Sequence, residues 1–203
     1  MGAEHIIALF IGYFIGSIPF ALVVGKLFYK TDIRNYGSGN LGGSNAGRVL
    51  GKKAGLAVMT LDVLKVIIAI LITYLCKAGE VSMMLAGLAA AIGHCFPIFA
   101  KFKGGKAVAT MYGFLFGMAF VGGYSFWIFF LPLIVFLVVL YLSKIVALSS
   151  IGSAVANTVY IYFVIKSMPL FWTSLIFTIL MIVRHHENIE RIIKNKENKI
   201  TWM

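Results

Sequence analysis

The sequence predicts an all-α integral membrane protein, and three observations predict it. Of the 203 residues, 61% are hydrophobic and 12% charged, against roughly 45–50% and 25% in soluble domains. The apolar residues gather into seven runs, most of them near the roughly 20 residues that carry a helix across a bilayer. The net charge of +11 falls almost entirely in breaks that lie on one side when the runs are laid alternately across a membrane. Excess positive charge can mark nucleic-acid binding, but in a chain this apolar it follows the cytoplasmic bias of membrane loops. One membrane-embedded domain over residues 1–203 accommodates the whole chain, with no linker, repeat or low-complexity tract.

The first run, near residues 5–25, follows Glu4 and His5 with no basic stretch ahead of it, so it reads as a retained helix rather than a cleaved signal. The second, 54–76, contains Asp62 and Lys65 three apart on one helical face; ionisable groups inside a bilayer turn inward and pair, so these are expected to form a structural ion pair. The third covers 81–99. No Asp, Glu, Lys or Arg occurs between Lys106 and Lys144, a stretch too long for one crossing, so Gly122-Gly123 is the expected turn between runs at 107–121 and 124–142. Runs at 146–165 and 169–183 complete the set, and those at 107–121 and 169–183 are short for a full span. Residues 191–203 are expected to lie on the lipid surface as an amphipathic tail, with Ile189, Ile192 and Ile193 supplying apolar contacts.

Alternating placement puts Lys26, Lys30, Arg34, Arg48, Lys52, Lys53, Lys101, Lys103, Lys106, Lys144 and the C-terminal tail on one side, leaving Lys77 and Lys166 on the other. The basic side faces the cytoplasm, so the N-terminus is expected outside and the C-terminus inside. Cys76 and Cys95 sit in apolar segments without a CxxC spacing, which gives neither a disulfide nor a metal pair.

Three segments on the basic side carry chemistry. The first, Gly37-Ser38-Gly39-Asn40-Leu41-Gly42-Gly43-Ser44-Asn45-Ala46-Gly47-Arg48, reads as a loop. Its glycines allow backbone N–H groups to converge on phosphate or carboxylate oxygens; Ser38, Asn40, Ser44 and Asn45 add donors, and Arg48 adds a bidentate fork. A glycine-rich stretch alone is equally consistent with a flexible surface loop. Its match to G-x-G-x-x-G carries no dinucleotide reading, because no strand precedes it. The second segment runs from Gly93-His94-Cys95-Phe96-Pro97 to Lys101-Phe102-Lys103-Gly104-Gly105-Lys106-Ala107. Gly104 and Gly105 are expected to offer further N–H groups ahead of a helix dipole, with Lys106 at hand; taken alone, such a turn is a topology determinant or headgroup contact. His94 is expected to be a hydrogen-bonded structural histidine. The third segment, Arg184-His185-His186-Glu187-Asn188-Ile189-Glu190-Arg191, places His185 and Asn188 on one helical face. Ser149, Ser150 and Ser153 either donate to a phosphate or pack as small residues between helices.

No HExxH, Cys/His ligand set, acidic cluster or GxSxG elbow occurs. These absences disfavour metal-dependent phosphotransferases, proteases and serine hydrolases, and neither metal nor cofactor is expected. The chemistry available is that of cations, amides and hydroxyls.

Along nearly its whole length the chain resembles the bacterial acyl-phosphate-dependent glycerol-3-phosphate acyltransferases, the PlsY family. The resemblance rests on Gly16-Ser17-Ile18-Pro19, the GSGNLGGSNAGR segment, GHCFPIFAKFKGGKAVAT and Arg184-His185-His186-Glu187-Asn188, in the family's order and spacing. It implies seven helices, a cytoplasm-facing site and transfer of a fatty acyl group from acyl phosphate to the 1-hydroxyl of glycerol 3-phosphate, giving lysophosphatidic acid and phosphate. It also implies catalytic roles for Ser38, Lys106, His185 and Asn188. Substrate binding would involve Gly37, Ser38, Gly39, Asn40, Ser44, Asn45, Arg48, Lys103, Gly104, Gly105 and Lys106, with Glu187 structural. At Ala147 the family more often has serine, a departure for which Ser149 or Ser150 would compensate. The expected partners are glycerol 3-phosphate, acyl phosphate and membrane lipids, without nucleic acid. A monomer in the bacterial cytoplasmic membrane is the expected state.

Residue chemistry agrees with this resemblance. Acyl phosphate is a mixed anhydride with a good leaving group, so transfer needs no covalent nucleophile, only positioning and charge stabilisation. His185 or a substrate phosphate oxygen would accept the hydroxyl proton. A transporter of phosphorylated metabolites is the rival reading, disfavoured because no internal duplication is visible and the polar segments share one side.

Overall fold

The computed structural model describes residues 2–200, and over them the chain is helical without a β-strand. Ten α-helices follow in order: α1 (Ala3–Gly16), α2 (Phe20–Tyr29), α3 (Gly43–Leu50), α4 (Lys52–Leu75), α5 (Glu80–Cys95), α6 (Val108–Phe120), α7 (Trp127–Ser143), α8 (Val146–Tyr160), α9 (Met168–Arg184) and α10 (His186–Ile193). A π-helical turn, Ile161–Ile165, prolongs α8. Four stretches are long and apolar enough to cross a bilayer: Ala3–Tyr29, Lys52–Leu75, Glu80–Ala100 and Val146–Ile165. A fifth arises if α9 and α10, bent by 61° at His185, count together, while α6 and α7 are shorter apolar helices. Each of the seven apolar runs contains a helix, and the expected turn falls at Gly122-Gly123, where Gly123 takes a φ of +76°.

Three expectations are corrected. The first apolar run is two helices, because Pro19 lacks the N–H needed to continue α1 and disfavours helical backbone at Ile18. The glycine-rich segment is a loop only as far as Gly42; residues 43–48 form the start of α3. There the glycines serve packing, since a β-carbon on Gly55 of α4 would lie 2.6 Å from the Gly47 Cα. The tail beyond Ile193 does not simply spread on a surface: Glu197 returns to α10, and the Ile200 N–H donates to the Lys144 carbonyl at 2.9 Å. Residues 201–203 of that expectation lie outside the described residues.

Small residues let the helices approach. β-Carbons on Gly12 and Gly16 would each sit 2.1 Å from a carbonyl oxygen of α5, those of Ala86 and Ala90, the small-residue seam that membrane helices use in place of a hydrophobic drive. The main core joins Val66 and Ile70 of α4, Met84 of α5, Phe114 and Met118 of α6, and Phe177 of α9. Outside it, Phe10, Phe14, Ile68, Leu137, Val159 and Ile179 stay exposed, an apolar surface that a bilayer, not water, accommodates. At the end that carries the glycine-rich loop a smaller cluster around Ile33, Leu41, Ala46 and Val58 holds α2, α3 and α4 beneath that loop.

Candidate functional site

The first segment is shaped by Asn45. Gly37 and Gly39 take φ values of +60° and +67°, a left-handed backbone that glycine adopts without steric cost. Between them the Ser38 N–H donates to Asn45 Oδ1 at 2.9 Å, while Asn45 Nδ2 donates to the carbonyls of Ile33 and Tyr36 at 3.3 and 3.2 Å. Asn45 is buried and its amide is spent on the loop, so it shapes the loop rather than facing outward. Ser38, Ser44 and Arg48 are exposed, and Ser44 and Arg48 share one face of α3. Arg34 is held by its neighbour: Nε and Nη2 reach Asp32 at 2.9 and 2.6 Å. That guanidinium holds the Asp32 carboxyl down at about 2.

The second segment is gripped from three directions. The Gly105 N–H donates to the His94 carbonyl at 2.9 Å, so it is not one of the unengaged N–H groups expected from the sequence. Asn40 Nδ2 donates to the Gly104 carbonyl at 3.0 Å, and Arg184 donates through Nη2 to Gly104 O at 3.2 Å and through Nε to Gly105 O at 3.0 Å. Lys103 is exposed and Lys106 half-buried. The N-terminus of α6 has no side-chain cap, so its dipole and unpaired N–H groups point back toward Lys106.

The third segment meets the second directly. Lys106 Nζ donates to Asn188 Oδ1 at 2.5 Å, Asn188 Nδ2 donates to Glu197 Oε1 at 2.7 Å, and Arg191 Nε donates to Glu197 Oε2 at 2.7 Å. Burial pulls the Lys106 ammonium below its ordinary pKa, with Arg191 adding to it and Glu187 and Glu197 opposing. Glu187 is exposed, with Arg191 Nη1 3.8 Å away. His185, at the break between α9 and α10, is 4% exposed. Its Nδ1 lies 2.8 Å from the Met181 carbonyl; a carbonyl only accepts, so Nδ1 carries the proton and neutral Nε2 keeps a lone pair. Burial lowers its pKa to about 4, against the raising effect of the Met181 bond.

Bonds spanning 64, 79, 80 and 82 residues therefore join the three segments into one site. Ser149 and Ser150 are not drawn into this network; their buried hydroxyls donate to Ile145 O and Val146 O of their own helix at 2.8 Å each. Ala147 is buried beside them. Asp62 and Lys65 pair at 2.6 Å, buried, and His94 joins them, its Nδ1 3.1 Å from Lys65 Nζ. Sequence reasoning missed Glu197, which follows a lysine-rich stretch without any motif. Arg184 stands in the sequence only as the start of the third segment, and its place at the end of an apolar run is the one hint of an inward role.

A profile of the family described as glycerol-3-phosphate acyltransferase matches residues 6–195. The glycerol-3-phosphate acyltransferase of Geobacillus kaustophilus is 46% identical over 96% of this chain and 95% of its own, and that of Bacillus subtilis is 46% identical over 95% and 96%. Crystal structures of PlsY (YgiH), an integral membrane glycerol 3-phosphate acyltransferase, superpose with TM-scores of 0.89 in the glycerol 3-phosphate form and 0.87 in the lysophosphatidic acid form. Those two share 32% and 31% identity, and each comparison covers 98% of this chain and 96% of the other.

Proposed function

The chain belongs to the glycerol-3-phosphate acyltransferase family, and we propose that it takes its acyl group from an acyl phosphate and passes it directly to the glycerol hydroxyl. It is a multi-pass membrane acyltransferase that acylates glycerol 3-phosphate to lysophosphatidic acid, an opening step of phospholipid synthesis. The observation that carries the mechanism is the bonded convergence of the three donor-rich segments, with Lys106 on Asn188 and the His185 lone pair beside them.

Gly104, Gly105 and Lys106, ahead of the uncapped α6 dipole, seat the donor's phosphate, with Lys103 drawing it in. Ser38 and Asn40 of the first loop, with Ser44 and Arg48 of α3, take glycerol 3-phosphate; Gly37 and Gly39 give the loop its shape. Asn45, Arg184, Glu187 and the Asp62–Lys65 pair hold these parts in place. Ser149 and Ser150 reach a phosphate only by giving up their helix carbonyls. The hydroxyl oxygen attacks the acyl carbonyl carbon, the bond from that carbon to the phosphate oxygen breaks, and phosphate leaves with its electron pair. The proton passes to His185 Nε2. With a pKa near 4 in the unliganded site, this nitrogen is a weak base, and a phosphate dianion seated beside it raises its basicity. Asn188 and Lys106 stabilise the developing oxyanion and the leaving phosphate.

Seven crossings follow if α1 and α2 form one broken span and α6 to α9 one each. At 13 residues, α6 covers about 20 Å of a core near 30 Å. The turn at 104–107 then dips below the headgroups, where acyl chain and phosphate can be held together. The N-terminus lies outside and the site faces the cytoplasm of a bacterial cell membrane, with a single chain sufficient. Purified protein given glycerol 3-phosphate with palmitoyl phosphate, acyl-CoA or acyl carrier protein in parallel tests the donor. Lysophosphatidic acid from palmitoyl phosphate alone is expected, and equal turnover with a thioester would sink the proposal.

A further inference from the structure

Beneath the glycine turn lies a polar cluster to which the mechanism above assigns no contact with substrate. Asp62, Lys65 and His94 are 1%, 2% and 6% exposed, in a setting where ionisable side chains are costly. Lys65 Nζ meets Asp62 Oδ1 (2.6 Å), His94 Nδ1 (3.1 Å) and the Ile18 carbonyl at the α1–α2 break (3.1 Å). His94 Nδ1 also lies 3.4 Å from Asp62 Oδ1, so the ion pair holds the imidazole by its Nδ1 side and leaves the Nε2 edge on the other. That edge faces the turn: a β-carbon on Gly105 would lie 1.9 Å from Nε2, and one on Gly104 would lie 2.1 Å from the His94 carbonyl. Neither glycine has a positive φ. The close approach of His94, not backbone conformation, is what excludes side chains there.

We propose that Asp62, Lys65 and His94 are positioning residues for the donor-phosphate seat: the ion pair fixes the imidazole, and the imidazole sets the height and tilt of Gly104–Gly105. This rests on the reading of the turn as that seat. Stability alone is a poor reason for the cluster, since a buried ion pair is often replaceable by apolar residues at no net cost. Asp62 Oδ2, moreover, has no hydrogen-bond partner among the described residues. The cluster also ties α4, α5 and the α1–α2 break to one point under the turn, so a small shift there misplaces the phosphate.

Steady-state kinetics of the purified full chain in detergent test this, varying palmitoyl phosphate and glycerol 3-phosphate separately and recording the thermal midpoint. In the wild-type background Gly105→Ala should raise KM for palmitoyl phosphate about tenfold or more, whereas in the His94→Ala background it should add less than about twofold. The paired replacement D62L/K65M removes both charges together. It should keep the thermal midpoint and raise KM for palmitoyl phosphate about tenfold, with KM for glycerol 3-phosphate moving less than about twofold. Equal cost of Gly105→Ala in both backgrounds would overturn the positioning role and leave the seat intact. No effect of Gly105→Ala on KM for palmitoyl phosphate would remove the seat itself. If His94→Ala does not fold, D62L/K65M decides: an unchanged KM, or a fallen midpoint with both KM values raised together, makes the cluster a strut and overturns the proposal.

Discussion

At His185 a single hydrogen bond decides what the residue can do. The Met181 carbonyl fixes the proton on Nδ1, so Nε2 is left to accept one, and burial holds the imidazole at about 4 rather than near 6.5. His185→Ala should lower kcat by about 10²- to 10⁴-fold with KM for glycerol 3-phosphate within about twofold. A loss seen only in KM would make the residue a binder and give the proton to a substrate phosphate oxygen. The sign of the shift also predicts a pH profile. A lowered pKa keeps the free enzyme's imidazole neutral from pH 8 down to about 5, so kcat/KM should show no acid limb from His185 near 6.5. A limb near pH 6 should instead belong to the second ionisation of the substrate phosphate, and should move when a phosphonate acceptor of higher pKa replaces it. A limb fixed at 6.5 with both acceptors would contradict the buried, neutral imidazole.

Among the elements, close approach governs. Gly16→Val places carbon against the Ala90 carbonyl and should destabilise the α1–α5 seam by about 1–3 kcal/mol, read as a lower thermal midpoint in detergent. Gly152→Ala is the contrast, because its β-carbon meets nothing nearer than Val139 Cγ2 at 3.8 Å; it should hold or raise the midpoint, as alanine favours the helix. An equal loss for both would refute the seam. Much of this level was legible in the sequence: each apolar run holds a helix, and Gly122-Gly123 breaks the uncharged stretch between Lys106 and Lys144. What escaped depends on contacts between distant parts. That residues 43–48 are helical follows from the fit of Gly43 and Gly47 on Gly55, which no local pattern announces. The break at Pro19 was readable from its missing N–H, but the apolar run hid it. The motif residues were legible as three donor-rich segments, whereas the turn's dependence on His94 and Arg184 and the return of Glu197 to Asn188 are tertiary facts.

For the whole molecule, the arrangement places all three segments on one face and the C-terminal end of α4 on the other. Cys76 caps α4 at that far end and is exposed, while Cys95 is buried. A membrane-impermeant maleimide should therefore label intact spheroplasts at Cys76, and Cys76→Ser should abolish the labelling; reaction only after permeabilisation would invert the orientation. Lys30, Lys77, Lys144 and Lys166 take left-handed backbone at or just beyond helix ends, where glycine is commoner. There they put a cation against the negative helix terminus. Trp127 and Trp172, near the starts of α7 and α9, remain exposed, as interfacial aromatics do. Direct transfer within one site made of cations, amides and hydroxyls leaves no acyl-enzyme and no free phosphate ahead of product. A rapid-quench experiment with the purified protein and acyl-labelled palmitoyl phosphate distinguishes this from a covalent route. Without glycerol 3-phosphate neither a burst of phosphate nor label on the protein should appear, and with it phosphate and lysophosphatidic acid should form in step. A phosphate burst stoichiometric with enzyme, or an acylated protein that glycerol 3-phosphate discharges, would contradict it.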